Sequence, residues 1–175
     1  MKVYILEDAF WSMLLSTIEV YPRECLGLLI GTYDVKNFIV HKSVVFQTAE
    51  RYMQSVNFPK DRVHDEVVGF LKKHLPYLKT IGDFHSHTGE EYFRPSKTDM
   101  KAMEEKQAYI IIQAYKKKKT VQWQYNKSKT ILFGTSGNYH FKIGAWFKNK
   151  FFEKFRLAEL SCPYAIGMTE SEAFE

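Results

Sequence analysis

The triplet His85-Ser86-His87 is the part of this sequence whose residue types could do chemistry most directly. On a strand, alternate side chains emerge on the same face roughly 7 Å apart, so two imidazoles can converge on one ion at about 2.0 to 2.1 Å each. Imidazole is a common metal ligand. Such triplets also arise by chance in many chains, so alone this one is weak evidence for a metal site.

Asp99 could complete that site with a carboxylate. It lies near the start of a helix that we expect from Pro95-Ser96 to about Gln107. Two histidines and one carboxylate leave the fourth tetrahedral position open for water, as a catalytic zinc site requires. The same residues also fit a capping box, in which Ser96 is the N-cap and Asp99 lies in the first turn. Both interpretations remain open at this point.

Two other carboxylates stand near these residues in sequence or in phase. Glu24 lies between Arg23 and Cys25 before an expected strand, and its simplest role is an exposed carboxylate in a salt bridge of little energetic worth. Asp83 is in phase with the two histidines on their strand. It could be a rival ligand or a partner that orients an imidazole.

The elements that must position these residues mix helices with strands. An amphipathic helix over 7–20 precedes a hairpin over 25–46, and a second amphipathic helix is expected over 60–75, with Val63, Val67, Phe70, Leu71 and Leu75 on one face. The segment TIGDFHSH then enters a polar loop as a strand. This order predicts fold class α/β, of the α+β kind, with a mixed sheet sandwiched by helices.

The second half of the chain continues with strands and ends in an expected helix. The runs AYIIIQAY, VQWQYN, TILFG and YHFKIGA are rich in β-branched and aromatic residues and predict strands. The last helix is predicted over Trp146 to Leu160, and its aromatic residues are interpreted as core. We expect one domain over residues 1–160, followed by a loose tail over 161–175.

Composition narrows the classes of protein. Cys25 and Cys162 stand alone, so neither a disulfide framework nor a thiolate zinc finger is expected, and a reducing cytoplasm suits them. Met1 to Val20 does not have the pattern of a signal peptide, and no apolar run is long enough for a bilayer. The net charge of +5 is concentrated in segments such as 116–119 and 148–154, and does not by itself indicate a nucleic-acid partner.

The segments PRECLGLLIG (22–31) and HSHTGEEYFRPSKTD (85–99) together resemble the JAMM motif of the MPN+ family of zinc metalloproteases. That motif has a glutamate before a G-x-L-x-G strand, then His-x-His, a loop and Pro-Ser-x-x-Asp. The order of elements from about residue 3 to residue 135 is also similar to that family's domain. The resemblance implies a cytidine-deaminase-like MPN domain with a curved, mixed, mostly antiparallel sheet.

Residue by residue, the resemblance implies roles for five side chains. His85, His87 and Asp99 would hold one Zn²⁺, Glu24 would be the general base, and Ser96 would help to hold the oxyanion. The chain departs from the family pattern in two places. Thr88 stands where the family usually has proline, and the stretch between His87 and Asp99 is one residue longer than usual.

The activity that the resemblance implies is hydrolysis of the amide or isopeptide bond after the C-terminal tail of ubiquitin or a ubiquitin-like protein of the sulfur-carrier type. An extended tail would dock beside a sheet edge. The segment Gln47 to Phe58 and the loop Thr88 to Arg94, which contains Tyr92 and Phe93, are the candidates for that groove. The substrate is thus the expected partner, and the sequence leaves a homo-oligomer open.

Three other functions compete with this one. A noncatalytic MPN-like scaffold would dock partners through the last helix and would bind no stoichiometric zinc. A nucleobase deaminase would need H-x-E followed by P-C-x-x-C, and this chain has no such cysteine pair. A metal-dependent barrel hydrolase typically takes about 250 residues, more than the 175 present.

Overall fold

The structure is a computed structural model that describes residues 1–47, 49–51, 56–57, 61–90, 93–102, 107–148 and 155–167. The helices are α1 (Glu7–Val20), α2 (Asp61–His74), α3 (Lys97–Ala102) and α4 (Pro163–Gly167). The strands are β1 (Lys2–Ile5), β2 (Leu26–Tyr33), β3 (Asn37–Val45), β4 (Glu50–Arg51), β5 (Val56–Asn57), β6 (Lys79–Thr88), β7 (Ala108–Lys116), β8 (Gln124–Tyr125), β9 (Ile131–Ser136), β10 (Tyr139–Lys148), β11 (Phe155–Leu157) and β12 (Glu159–Ser161).

Among the described residues, ten strands form one sheet. Its order is β12-β1-β3-β2-β6-β7-β10-β9-β8, and β11 pairs with β10. Strand β1 is parallel to β12 and β3, and β6 is parallel to β7, whereas the remaining neighbours are antiparallel. Strands β4 and β5 form a separate ladder. The mixed, mostly antiparallel sheet that the sequence predicts is confirmed.

Helix α1 covers one face of this sheet. Its residues Phe10, Met13 and Leu14 are buried, and they join a core that includes Leu29 of β2 and Phe84 of β6. The apolar positions recur at intervals of three and four, which places them on one side of the helix. The predicted helix over 7–20 and its inward stripe are therefore confirmed.

Helix α2 covers the opposite face. Val67, Val68 and Leu71 are partly buried there, over a smaller apolar cluster to which β2 contributes Leu26, Leu28 and Ile30. The prediction for Phe70 is wrong, because 63% of this residue is exposed and its ring lies against that of His74, 4.3 Å away. Val68 instead completes the buried stripe with Leu71. Helices on both faces confirm the predicted sandwich.

The helix predicted over Trp146–Leu160 is wrong wherever those residues are described. Trp146 belongs to β10, which pairs with both β7 and β9, and β11 and β12 follow it. Along β10, Phe141, Ile143 and Ala145 enter the α1 core with the period of two that a strand requires. Aromatic residues also favour strands, so a ladder on each side outweighs the helical spacing of the rings. Residues 149–154 lie outside the described part.

The two ends of the described chain meet at one edge of the sheet, which the sequence pattern did not predict. Strand β1 lies between β3 and β12. Beyond it, Cys162 and Ala165 are fully buried in the α1 core. The division into 1–160 and a tail over 161–175 stays a prediction, and residues 168–175 lie outside the described part. No described helix combines the length and the apolar character needed to span a bilayer.

Candidate metal centre

An irregularity in β6 decides which face of the sheet the histidines occupy. Ile81 and Phe84 both join the α1 core although they are three residues apart. The ladder between β6 and β2 shifts its register opposite this point, between Leu29 and Ile30. A shift of one position moves every later side chain to the other face. His85 and His87 therefore point away from α1.

Glycine makes this irregularity possible. Gly82 has φ +152°, and a Cβ built on it would lie 1.7 Å from the carbonyl oxygen of Ala108 in β7. A residue with a Cβ atom would clash where two backbones approach this closely, so only glycine fits. Gly82 thus sets the phase of the strand three residues before the first histidine.

Helix α3 brings the carboxylate to the pair. The Ser96 backbone N–H donates to Asp99 Oδ2 at 2.6 Å, and the Asp99 N–H donates to Ser96 Oγ at 3.1 Å. These reciprocal bonds are a capping box, so that interpretation of Ser96 and Asp99 is confirmed. The same Oδ2 atom also faces the histidines. Capping and ligand geometry coexist in one side chain.

The three predicted ligand atoms converge. His85 Nε2 lies 2.8 Å from His87 Nε2, and Asp99 Oδ2 lies 3.4 Å from the first and 3.7 Å from the second. Among the described residues these three form a group that could hold a metal ion. A tetrahedral zinc with bonds near 2.0 to 2.1 Å separates its ligand atoms by about 3.3 Å. The observed separations bracket that value, so the donor set fits zinc.

The electrostatics of the group favour the forms that bind metals. Burial lowers the pKa of His85, which favours the neutral imidazole. Burial alone would raise the pKa of Asp99, but hydrogen bonds from His85 and His87 hold it well below its ordinary value. A neutral histidine and an ionised carboxylate are the protonation states that a divalent ion requires.

Glu24 lies beside this group and is held there by the backbone. The N–H of the next residue, Cys25, donates to Ser86 Oγ at 2.8 Å, and the Ser86 N–H donates to the Cys25 carbonyl oxygen at 2.9 Å. Only 7% of Glu24 is exposed, so the interpretation of Glu24 as an exposed carboxylate in a surface salt bridge is wrong. Burial raises its pKa to about 7; His87 opposes this shift and the Asp99 charge adds to it.

Ser86 is a positioning residue that the sequence analysis missed. It lies between the two histidines on β6 but points to the other face, where it is fully buried. Its two bonds to Cys25 tie the segment containing Glu24 to the strand containing the ligands. The available signal in the sequence was a small hydroxyl residue between two ligands. On a buried strand such a residue faces the protein interior, where its hydroxyl needs a hydrogen-bond partner.

Two further side chains, those of Tyr109 and Asp83, lie on the same face of the sheet as the histidines. The Tyr109 ring contacts the His85 ring edge-on at 5.7 Å, and burial raises the tyrosine pKa, with smaller contributions from Asp83 and Asp99. Asp83 itself is not part of the group that could hold a metal among the described residues. Its alternative role as an orienting partner stays a prediction.

The expected substrate groove is only partly described. Of the segment Gln47 to Phe58, the structure describes residues 47, 49–51 and 56–57, which include β4 and β5. In the loop Thr88 to Arg94, Tyr92 lies outside the described part. The Phe93 ring contacts the Trp146 ring at 5.5 Å, so Phe93 packs on β10. The groove therefore stays a prediction.

Comparisons with known proteins give one family match and one similar fold. A family model described as prokaryotic homologs of the JAB domain matches residues 6–126. The solution structure of protein DSY2949 from Desulfitobacterium hafniense is similar to this chain with a TM-score of 0.62 and 18% identity, over 91% of this chain and 92% of the other. At that identity the likeness concerns the fold. No curated protein matches the chain.

Proposed function

Because this chain belongs to the family of prokaryotic homologs of the JAB domain, we propose that it is a zinc-dependent metallopeptidase. Its substrate would be the amide or isopeptide bond after the C-terminal tail of a ubiquitin-like protein, of the sulfur-carrier type. One observation carries the proposal: a buried carboxylate with a pKa of about 7 lies beside three ligand atoms that converge as zinc requires.

His85, His87 and Asp99 are the residues that would hold one zinc ion per chain. Three protein ligands leave the fourth position of a tetrahedral site open, which distinguishes catalytic from structural zinc. Bound there, zinc would supply Lewis acidity and lower the pKa of a water toward neutrality. The remaining chemistry belongs to the side chains around it.

Glu24 would take a proton from the attacking water and deliver it to the departing amine. A general base works best when its pKa lies near the operating pH, and burial has brought that of Glu24 to about 7. The bonds between Cys25 and Ser86 hold the carboxylate at the site without using its own oxygens. Proton transfer of this kind is worth about 10² to 10⁴ in rate.

Ser96 would donate its hydroxyl to the oxygen of the scissile carbonyl. In the capping box its Oγ accepts the Asp99 N–H, which leaves the hydroxyl proton available for a second partner. The oxyanion that forms in amide hydrolysis needs such a donor. Ser96 thus combines a structural and a catalytic role at one atom.

Two measurements on the same set of proteins test the proposal. Elemental analysis should find one zinc per wild-type chain and a loss of zinc in His85→Ala and Asp99→Ala. His74→Ala, at an exposed histidine of α2, is the matched control and should keep the metal. Equal zinc in all four proteins would place the ions elsewhere and remove the proposed centre.

Activity is tested with a panel of ubiquitin-like fusions and conjugates incubated with zinc-loaded protein. Wild type should release the ubiquitin-like protein, a chelator should stop the reaction, and Glu24→Gln should lower kcat by at least about 10²-fold. Glu19→Gln, at an exposed position of α1, is the control that should cleave normally. Undiminished cleavage by Glu24→Gln would take this residue out of the mechanism, and absence of cleavage with full zinc would favour the scaffold.

A further inference from the structure

Gln113 is a buried polar residue that the proposed reaction does not use. It lies in β7 within the otherwise apolar run AYIIIQAY, and none of its surface is exposed. Neither its amide nitrogen nor its amide oxygen has a hydrogen-bond partner among the residues that the structure describes. An unsatisfied buried amide costs about 1 to 3 kcal/mol, so packing alone gives no reason for a glutamine here.

The position of Gln113 relates it to the metal centre. Strands β6 and β7 are parallel, and their register pairs His87 with Gln113 and His85 with Ile111. Paired residues of neighbouring strands point to the same face of a sheet. The edge-on contact between the His85 and Tyr109 rings confirms that this face of β7 borders the histidines. Gln113 is therefore the neighbour of His87 on β7.

The residue that pairs with Gln113 on its other side is a lysine with a contact elsewhere. Lys142 of β10 pairs with Gln113 in the antiparallel ladder. Its ammonium lies 5.8 Å from the ring centroid of Tyr115, two residues further along β7. The lysine thus has an aromatic contact of its own, and no hydrogen bond from it to the Gln113 amide is present among the described residues.

Among the three ligands, His87 is the one whose position departs from a tetrahedral arrangement. The separation between His85 Nε2 and Asp99 Oδ2, 3.4 Å, already matches the value of about 3.3 Å for zinc ligands. His87 Nε2 is closer than this to His85, at 2.8 Å, and further than this from Asp99, at 3.7 Å. A displacement of His87 Nε2 by about 0.9 Å, with the other two ligand atoms in place, would bring it to about 3.3 Å from both of them.

A ligand histidine that must take up one orientation usually has a partner for its second ring nitrogen. That nitrogen donates its N–H to a carboxylate, a carbonyl or a water, which fixes the ring and strengthens the metal bond. An amide oxygen is a suitable acceptor. Gln113 offers one that is buried, unused and on the neighbouring strand.

We propose that Gln113 is a positioning residue for His87, whose ring N–H is accepted by the Gln113 amide oxygen in the metal-bound protein. The inference rests on the zinc centre of the proposed function, and it adds a residue outside the JAMM motif to that centre. Gln113 touches neither substrate nor metal, and its effect is on metal affinity.

The test compares wild type with Gln113→Leu, Gln113→Glu and Ser43→Ala. Ser43 Oγ is another buried side-chain atom without a described partner, but Ser43 pairs with Leu29 on the α1 face, so it is the matched control. Zinc affinity is measured by competition with a chromophoric chelator. Thermal unfolding of the metal-free proteins is measured in parallel.

In Gln113→Leu we expect zinc affinity to fall by about 10- to 100-fold. The midpoint of thermal unfolding of the metal-free protein should stay equal or rise, because an apolar side chain replaces an unsatisfied amide. Gln113→Glu keeps an acceptor oxygen and should hold zinc within a few-fold of wild type. Ser43→Ala should not change the affinity.

Wild-type zinc affinity in Gln113→Leu would overturn the inference, and so would an equal loss of affinity in Gln113→Glu while both variants remain folded. These results leave the proposed function intact, because they concern the Gln113 variants and not zinc binding by the wild-type protein. A wild-type protein that binds no zinc would remove both proposals. A wild type that binds zinc but cleaves no substrate would remove the proposed function alone.

Discussion

The two faces of strand β6 have opposite chemical character. Toward α1 the strand presents Ile81 and Phe84 to a large apolar core. Ser86 on that face accepts the Cys25 N–H with its Oγ and donates its own backbone N–H to the Cys25 carbonyl oxygen. Toward the other side it presents His85 and His87. That face is equally buried, but it holds imidazoles, a carboxylate of raised pKa and an amide without a described partner.

The difference shows how one strand can combine stability with a reactive site. Apolar burial contributes roughly 25 cal/mol per Å², so the α1 face stabilises the fold. Buried polar groups that are incompletely paired oppose folding. The apolar side chains thus offset the cost of the polar ones, because residues that are adjacent in β6 point to opposite faces of the same strand.

The largest effect is expected for Gly82→Ala, because this position sets the phase of both faces. A Cβ there would lie 1.7 Å from the Ala108 carbonyl oxygen, so the backbones of β6 and β7 would have to separate. We expect a loss of more than about 4 kcal/mol in the free energy of unfolding, measured with urea, and loss of zinc binding. Gly69→Ala in α2 is the control.

The control position has open space around it, since no atom lies within 4 Å of a Cβ built on Gly69. Alanine in a helix interior should stabilise the protein there by about 0.5 to 1 kcal/mol. If Gly82→Ala were as stable as wild type and bound zinc, the strand phase would not depend on this glycine.

Next in size is Phe84→Ala, which acts on the apolar face only. Phe84 is fully buried in the α1 core, and truncation of such a ring costs about 3 to 5 kcal/mol. The ligands lie on the other face, so the protein that remains folded should still bind one zinc per chain. Phe70→Ala, at a residue that is 63% exposed, should change stability by less than about 0.5 kcal/mol. Loss of zinc from folded Phe84→Ala would contradict the separation of the two faces.

A gain in stability is expected for Glu24→Gln on the polar face. Folding raises the pKa of Glu24 from 4.5 to about 7, so the folded protein retains this proton where the unfolded chain has lost it. Stability therefore falls as the pH rises between about 4.5 and 7, by about 3 kcal/mol in total. Glutamine removes this loss, because it cannot ionise.

Urea unfolding of the metal-free proteins in a chelator measures this effect. Glu24→Gln should match wild type near pH 4.5 and exceed it by about 3 kcal/mol at pH 8. Glu19→Gln, at an exposed position, should follow wild type throughout. A constant difference between Glu24→Gln and wild type at every pH would mean that the carboxyl does not titrate as its burial indicates.

The parts of this fold that local pattern could predict are those in which one period dominates. The stripe of Phe10, Met13 and Leu14 fixed α1, and alternation with a short turn fixed the hairpin of β2 and β3. The prediction for the region from Trp146 onward failed, because aromatic residues suit a strand as well as a helix and the pairing with β7 decided between them. Such partners are distant in sequence.

The candidate site divides in the same way. Spacing and family resemblance together identified His85, His87 and Asp99, and the structure brings their ligand atoms into one group. The burial of Glu24 and its pKa depend on packing that no local pattern contains. For Gln113 a signal was present, a single polar residue inside an apolar run, but only the pairing with His87 gives it a meaning.

The smallest expected effect on stability is that of Ser96→Gly, where the sequence left two roles open. Glycine keeps the backbone N–H that donates to Asp99 Oδ2 and removes only the hydroxyl that accepts the Asp99 N–H. As an N-cap, glycine is worse than serine by only a few tenths of a kcal/mol. Loss of an oxyanion donor typically lowers kcat by about 10² to 10³.

We therefore expect Ser96→Gly to have nearly wild-type stability and zinc content but a kcat reduced by that factor. Ser96→Thr keeps the hydroxyl and should stay active. Equal kcat for the glycine and threonine variants would reduce Ser96 to a helix cap and leave the polar face with one catalytic side chain, Glu24.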